Sequence, residues 1–294
     1  MSNLEARYGL IGGSNTWAIQ FPEETDKGIR VVKHIKGFST PFGVSSPYKL
    51  LEINGVHVLR VAMHGSYPND QEMIPPNISA KQTAWIFKQA GVKYALVDAS
   101  VGGIQNLEGG PLPPWSIVIP DDFFMAPTIP MFASSVGRVP RDKDKTFFRM
   151  AKPFCEMLRR SLMKACKEEG LSFQDGGVYA CTPWGRFETV PEISILRNNG
   201  AHVVGQTVAH EAVAMRNAEI HFASINIVSN FAENGHEWIG DCPDAMANFY
   251  RECAPITARL ITNAMKAVIN DHTGNCQCRE FEVSGLGKFP IENA

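Results

Sequence analysis

Four stretches of the chain combine glycines or small polar residues with groups able to bind or move charge. Ile11-Gly12-Gly13-Ser14 offers turn amides and a hydroxyl, a combination that can hold a small anion. Met63-His64-Gly65 adds an imidazole, and Ser100-Val101-Gly102-Gly103 a second hydroxyl beside a glycine turn. The fourth, Trp184-Gly185-Arg186-Phe187-Glu188-Thr189-Val190-Pro191-Glu192, sets an aromatic ring next to a carboxylate, with Gly205-Gln206-Thr207 and then Ser229-Asn230 following it. Each has an ordinary structural alternative. A lone histidine is more often a satisfied structural residue than a catalytic one, and Ser-x-Gly-Gly is more often only a turn.

Several chemistries lack their signatures. The Gly12-Gly13 turn has neither the G-x-G-x-x-G order of a dinucleotide site nor the Lys-Ser/Thr of a phosphate-binding P-loop. There is no G-x-S-x-G nucleophile turn, and His210-Glu211 is followed by Ala-Val-Ala-Met rather than by the second histidine of a zinc protease. Seven cysteines are an odd number, which suits reduced and mostly buried thiols better than a disulfide framework. Cys276 and Cys278 form a C-x-C pair, but no further ligands stand in register with it. The expectation is therefore a surface thiol pair with at most a redox or local disulfide role, and no metal.

The elements that must position these groups alternate between short apolar runs and amphipathic ones. Strands are predicted at Tyr8 to Gly12, Val56 to Ala62, Tyr94 to Ser100, Ser116 to Pro120, Val178 to Cys181, His202 to Thr207 and His221 to Ser229, several uniformly apolar as if buried on both faces. Helices are predicted from Ser79 as cap to Gly91, from Pro153 to Gly170, around Ile193 and Leu196, and over residues 244 to 270, where Pro255 should kink or divide the helix. This order implies one α/β domain over residues 1–294, with a central mixed, largely parallel β-sheet flanked by helices and ligands at the carboxyl ends of the strands. Phe123 to Lys145, rich in proline, reads as a long loop of the kind that covers a site or contacts a neighbouring subunit.

Composition narrows the partners. A formal net charge of -2 leaves no broad basic surface for nucleic acid. No run approaches the roughly 20 apolar residues needed to cross a membrane. The start MSNLEARYGL lacks the basic and apolar regions of a secretory signal, so a cytoplasmic protein is expected.

The order of the motifs carries more than any one of them. GLIGGS, IPPNISAKQTAWIFKQAGVKYALVDASVGGI, SIVIPDDF, MAKPFC, GRFETVPE and GAHVVGQTVAHEAVAMRNAEI resemble, over most of the chain, the purine nucleoside phosphorylase and methylthioadenosine phosphorylase family, in its trimeric branch. RFETVPE with a strand-end Asn about forty residues later is the most specific element. The resemblance implies inorganic phosphate as co-substrate, no metal or other cofactor, and a homotrimer.

By the same resemblance, phosphate falls to Ser14, His64, Ser100 and Thr207, the ribose to Gln206, and the purine to Phe187, Glu188 and Asn230, with Asn230 and His64 as the catalytic pair. The chemistry suits these types. Neutral donors and turn amides hold an anion, a ring offers a stacking face, a carboxylate accepts from N1-H, and an amide stabilises N7 as the glycosidic bond breaks. Asn rather than Asp at position 230 resembles the members that accept 6-oxopurines.

Three departures stand out. Met63 occupies the position of the arginine that precedes the phosphate-site histidine, a loss of roughly 1.5–3 kcal/mol of charge-assisted bonding. Gln206 replaces the methionine under the ribose, and Phe147 replaces the histidine that reaches the neighbouring subunit, with Arg138, Arg141 and Arg149 as candidates to restore charge. The expected activity is phosphorolysis of a purine nucleoside, 6-oxopurine preferred and 5′-modified sugars allowed. The alternatives are a phosphate-independent nucleosidase and a non-catalytic nucleoside-binding homologue.

Overall fold

A computed structural model describes residues 4–26, 28–68, 72–125, 147–233, 238–239, 244–271, 276–278 and 282–283. In chain order the elements are β1 (Tyr8–Ile11), β2 (Arg30–Ile35), β3 (Ser39–Thr40), β4 (Gly43–Val44), β5 (Tyr48–Ile53), β6 (Val56–Val61) and α1 (Pro76–Ala90). Next come β7 (Tyr94–Gly103), β8 (Ile117–Ile119), β9 (Asp122–Met125), β10 (Phe147–Phe148), α2 (Glu156–Glu168), β11 (Gln174–Asp175) and β12 (Val178–Cys181). The chain continues through α3 (Val190–Asn198), β13 (Ala201–Gly205), α4 (Val208–Asn217), β14 (His221–Phe231), α5 (Ala245–Asn270) and β15 (Glu282–Val283).

The sheet is mixed and largely parallel. Its path runs β11-β8-β14-β7-β1-β6-β5-β2, with β13 joining at β7 and carrying β12 and β9 beyond it. The centre, β6-β1-β7-β14, is all parallel, which requires cover on both faces. Alternation along β7 supplies two apolar faces: Val97 packs with α1 and α4 through Phe87 and Met215, while Leu96 packs with α2 and α5 through Leu158 and Leu260. All six side chains are essentially out of water. Helix α3 covers the β12-β13 wing through Ile193 and Leu196.

Several boundaries differ from the sequence expectation. β7 extends to Gly103 and β14 to Phe231, whereas β13 stops at Gly205, so Gln206 and Thr207 lie in the turn leading into α4. Helix α4 itself was not predicted. It is buried on most sides, so its sequence lacks the polar stripe that marks an amphipathic helix. Helix α1 starts at Pro76, a residue suited to the first turn, and Ser79 sits inside it rather than capping it. Helix α2 starts at Glu156 with Cys155 at its N-cap position, so Pro153 lies ahead of the helix rather than in its first turn. Pro255 does not divide α5, which runs unbroken for 26 residues. The proline sacrifices a backbone bond, but Cys253, Ala254, Ala258 and Ile261 around it stay buried against the sheet. Phe123 to Met125, read as loop, belongs to β9; Arg138 and Arg141 lie outside the described residues.

Candidate active site

The carboxyl ends of β1 and β6 and the middle of β7 meet at the Gly12-Gly13 turn. A Cβ on Gly13 would sit 2.3 Å from the Asp98 carbonyl oxygen and 2.8 Å from His64 Nε2, and one on Gly12 would sit 2.7 Å from Arg60 Nη2. Only glycines let the backbone come this close. His64 reaches the turn from a left-handed backbone, φ 55°, and its amide donates to the Gly12 carbonyl at 2.9 Å. Its Nδ1 lies 2.8 Å from Glu211 Oε1 on α4, leaving Nε2 toward the Thr207 hydroxyl at 3.5 Å. Burial alone would lower the imidazole pKa, but Glu211 and then Asp98 outweigh it and hold His64 above its ordinary value. A cation-leaning ring thus faces the turn that would hold an anion.

Beneath the turn sits a second charged pair that the sequence reading did not single out. Thr16 Oγ1 donates to Asp98 Oδ2 at 3.0 Å and accepts from Arg60 Nη2 at 3.5 Å. Burial pushes the Asp98 carboxyl up, against the pull of His64, the Gly13 amide and Arg60. Burial likewise brings the Arg60 guanidinium down to about 10, which leaves it charged at neutral pH. Arg60 does not line the cavity above, so it supports the turn from behind rather than replacing the arginine absent at Met63.

The other wall comes from the β12-α3 loop and the end of β14. Thr189 and Glu192 form a reciprocal cap at the start of α3, and Arg186 pairs with Glu192 at 2.6 Å, which shapes the GRFETVPE run. Within it Glu188 accepts a short bond from the Thr182 hydroxyl. Phe187 is 60% exposed and meets Trp238 edge-on at 5.3 Å, a large apolar face left for a flat ligand. Gln206 accepts from the Gly185 amide at 3.3 Å and donates to the Arg186 carbonyl at 2.6 Å. Its amide therefore ties the loop down, a role the resemblance did not assign. In β14 the register slips between Val228 and Asn230, and such a bulge re-aims the side chain that follows. Asn230 accepts from the Ser229 hydroxyl at 2.7 Å and donates to the Phe231 carbonyl at 2.8 Å, which leaves one amide hydrogen to offer.

Ser14, His64, Ser100, Phe187, Glu188, Gln206, Thr207 and Asn230 all line one cavity of about 540 Å³, with Met63 among them. Tyr250 of α5 closes it, bonded to the Ser100 hydroxyl at 3.0 Å, and Trp238 and Met246 add apolar wall. A larger cavity, about 1120 Å³, lies among Arg7, Tyr94 and His221 at the opposite, amino ends of the strands. It gathers none of these groups, and ligands of open α/β sheets bind at carboxyl ends.

The sequence model of the phosphorylase superfamily matches residues 7–269. The chain belongs to that superfamily. Among its relatives, a probable 6-oxopurine nucleoside phosphorylase of Thermococcus kodakarensis is 31% identical over 77% of this chain and 79% of its own. A probable S-methyl-5′-thioinosine phosphorylase of Thermodesulfovibrio yellowstonii is 28% identical over 78% of each chain. A methylthioadenosine phosphorylase from an Antarctic soil metagenomic library has the same fold, with TM-score 0.75 at 20% identity over 96% of this chain and 92% of its own.

Of the three sequence departures, Met63 and Gln206 line the cavity, and the third is Phe147. Its backbone pairs antiparallel with Val283, in the β10-β15 ribbon. Arg149 is exposed and does not line the cavity. The residues that sequence reasoning missed are Glu211, Asp98 and Arg60. Their signal was a charge inside an otherwise apolar strand or helix, which burial makes costly unless it is used.

Proposed function

We propose that the protein is a purine nucleoside phosphorylase that prefers 6-oxopurines. Phosphate occupies the Gly12-Gly13 turn with Ser14, His64, Ser100 and Thr207. The purine lies against Phe187 with its edge on Glu188 and Asn230, and the ribose spans the space bounded by Gln206. A phosphate oxygen attacks C1′ as the bond to N9 breaks; the electron pair passes into the purine, and the Asn230 amide stabilises it at N7. The ribosyl centre becomes cationic on the way, and the phosphate beside it supplies compensating charge before it bonds. The observation that carries this reading is the convergence of eight side chains, carried in or just after the six strands β1, β6, β7, β12, β13 and β14, on one cavity that holds both an anion cradle and a carboxylate-amide pair. The names of the relatives agree with it, including those acting on 5′-methylthio substrates. No helix among the described residues is long and apolar enough to cross a membrane.

Met63 in the cavity wall favours one second reading, hydrolysis by water at a weakened phosphate site. Incubation with inosine, with and without phosphate, separates the two. Ribose 1-phosphate formed only with phosphate supports phosphorolysis, free ribose at a rate indifferent to phosphate supports hydrolysis, and no turnover contradicts both.

A further inference from the structure

The C-x-C pair near the end of the chain was expected to lack metal ligands in register. Folding supplies them. Cys155 caps α2 and His221 opens β14, and both arrive beside Cys276 and Cys278. The three sulfurs and an imidazole nitrogen all lie within 4.8 Å of one another. Cys155 Sγ is 3.5 Å and Cys276 Sγ 3.2 Å from His221 Nδ1. Four donors around a tetrahedral Zn²⁺, with Zn–S about 2.3 Å and Zn–N about 2.0–2.1 Å, stand about 3.5–3.8 Å apart, so the cluster needs only small adjustments to close on the ion.

We propose that Cys155, His221, Cys276 and Cys278 form a structural zinc site. Three thiols and one imidazole, with no carboxylate in the set, are the ligands of tetrahedral zinc rather than of calcium or magnesium. Four protein donors leave no open position for substrate, which makes the site structural rather than catalytic. Binding converts three thiols to thiolates and releases their protons to solvent, while the imidazole donates its neutral lone pair.

The surroundings are built for this. The Cys155 amide donates to the Phe222 carbonyl at 2.7 Å and the His221 amide to the Lys93 carbonyl at 2.8 Å, so two ligands ride on the rigid sheet. The His221 ring stacks on Tyr94 with centroids 5.0 Å apart, which fixes its orientation. Arg216, almost wholly buried, donates to the Cys278 carbonyl at 3.0 Å and to the Lys152 and Pro153 carbonyls just before Cys155. Its positive charge offsets the net negative charge of a Zn²⁺ with three thiolates. Such an ion would tie the segment after α5 to the amino edge of the sheet, away from the candidate active site. It would also anchor the approach to β15, which pairs with β10.

The test uses the full chain, expressed with zinc and purified under reducing conditions without a polyhistidine tag. Elemental analysis should find about one zinc per chain, and cobalt added to the metal-free protein should give the intense visible bands and thiolate charge-transfer absorption of a tetrahedral sulfur-rich site. The double substitution Cys276→Ser, Cys278→Ser should bind less than about a tenth as much zinc and melt at a lower temperature, while still cleaving inosine. Zinc below about a tenth of an equivalent in the parent together with no cobalt charge-transfer band would overturn the proposal, as would unchanged zinc in the double variant. A disulfide among these cysteines in zinc-saturated, reduced protein would overturn it too. The cobalt spectrum of the parent decides the matter even if the variant fails to fold.

Discussion

Replacing Glu211 with Gln removes a negative charge beside His64 while keeping an acceptor of nearly the same shape. In the parent the two side chains meet at 2.8 Å with only 8% and 2% of their surfaces exposed. Burial disfavours the imidazolium, and Glu211 is the largest influence opposing it. In the Glu211→Gln protein burial wins, and the His64 pKa should fall from above its ordinary value of about 6.5 to below it. Between the two values the parent offers phosphate a charged Nε2-H and the variant a neutral ring. Charged hydrogen bonds contribute about 1.5–3 kcal/mol and neutral ones about 0.5–1.5, a difference of about 1–1.5 kcal/mol. That corresponds to about five- to tenfold in apparent phosphate affinity. Initial rates against phosphate concentration, compared at equal pH so that the ionisation of phosphate cancels, should give a ratio of phosphate KM values that peaks near neutral pH. The ratio should narrow at low pH, where both rings are protonated, and again above the raised pKa of the parent. The same linkage gives the parent extra stability that is complete below the unfolded value near about 6.5 and is lost as pH rises through the raised folded value. A KM ratio that stays near unity, or one elevated equally at every pH, would refute the assigned role of Glu211.

Three further outcomes follow. Met63→Arg restores a forked donor and should improve phosphate affinity by one to two powers of ten, about 1.4 kcal/mol for each; weaker binding in the variant, or a parent that already saturates tightly, would show that the site has no missing charge. Asn230→Asp should shift preference from inosine toward adenosine, because a carboxylate accepts from a protonated N7; equal activity on both nucleosides in both proteins would contradict that base reading. The family resemblance carries the expectation of a homotrimer in which Phe147 completes a neighbour's pocket. Sedimentation of a fully active monomer at assay dilution would exclude it.

What was legible in the sequence, and what was not, follows from burial. The glycine turn, His64, the Phe187-Glu188 run and Asn230 could be read because strand ends punctuated by glycine or small polar residues stand out against apolar runs. All eight candidate residues line one cavity. Arg60 and Asp98 were passed over as interior residues of strands that looked uniformly apolar, although a charge at such a position calls for a partner. His210-Glu211 was weighed only as a zinc-protease fragment; that Glu211 orients His64 depends on a contact 147 residues away in sequence, which no local pattern carries. Separation along the chain likewise hid Cys155 and His221 from the C-x-C pair. The edge strand β2 and its neighbour β5 went unpredicted, since the burial of β2 is patchy and neither carries a long apolar run. Gln206 was read as a ligand group, whereas its two loop bonds become visible only once β12 and β13 lie side by side.

The central claim, that phosphate and not water is the nucleophile in this cavity, is tested most directly in the reverse direction. With hypoxanthine and ribose 1-phosphate as the only substrates, inosine and inorganic phosphate should be released in equal amounts, with the rate falling sharply in His64→Ala and Asn230→Ala. Inosine cleavage in the forward direction combined with no inosine synthesis from ribose 1-phosphate would contradict it.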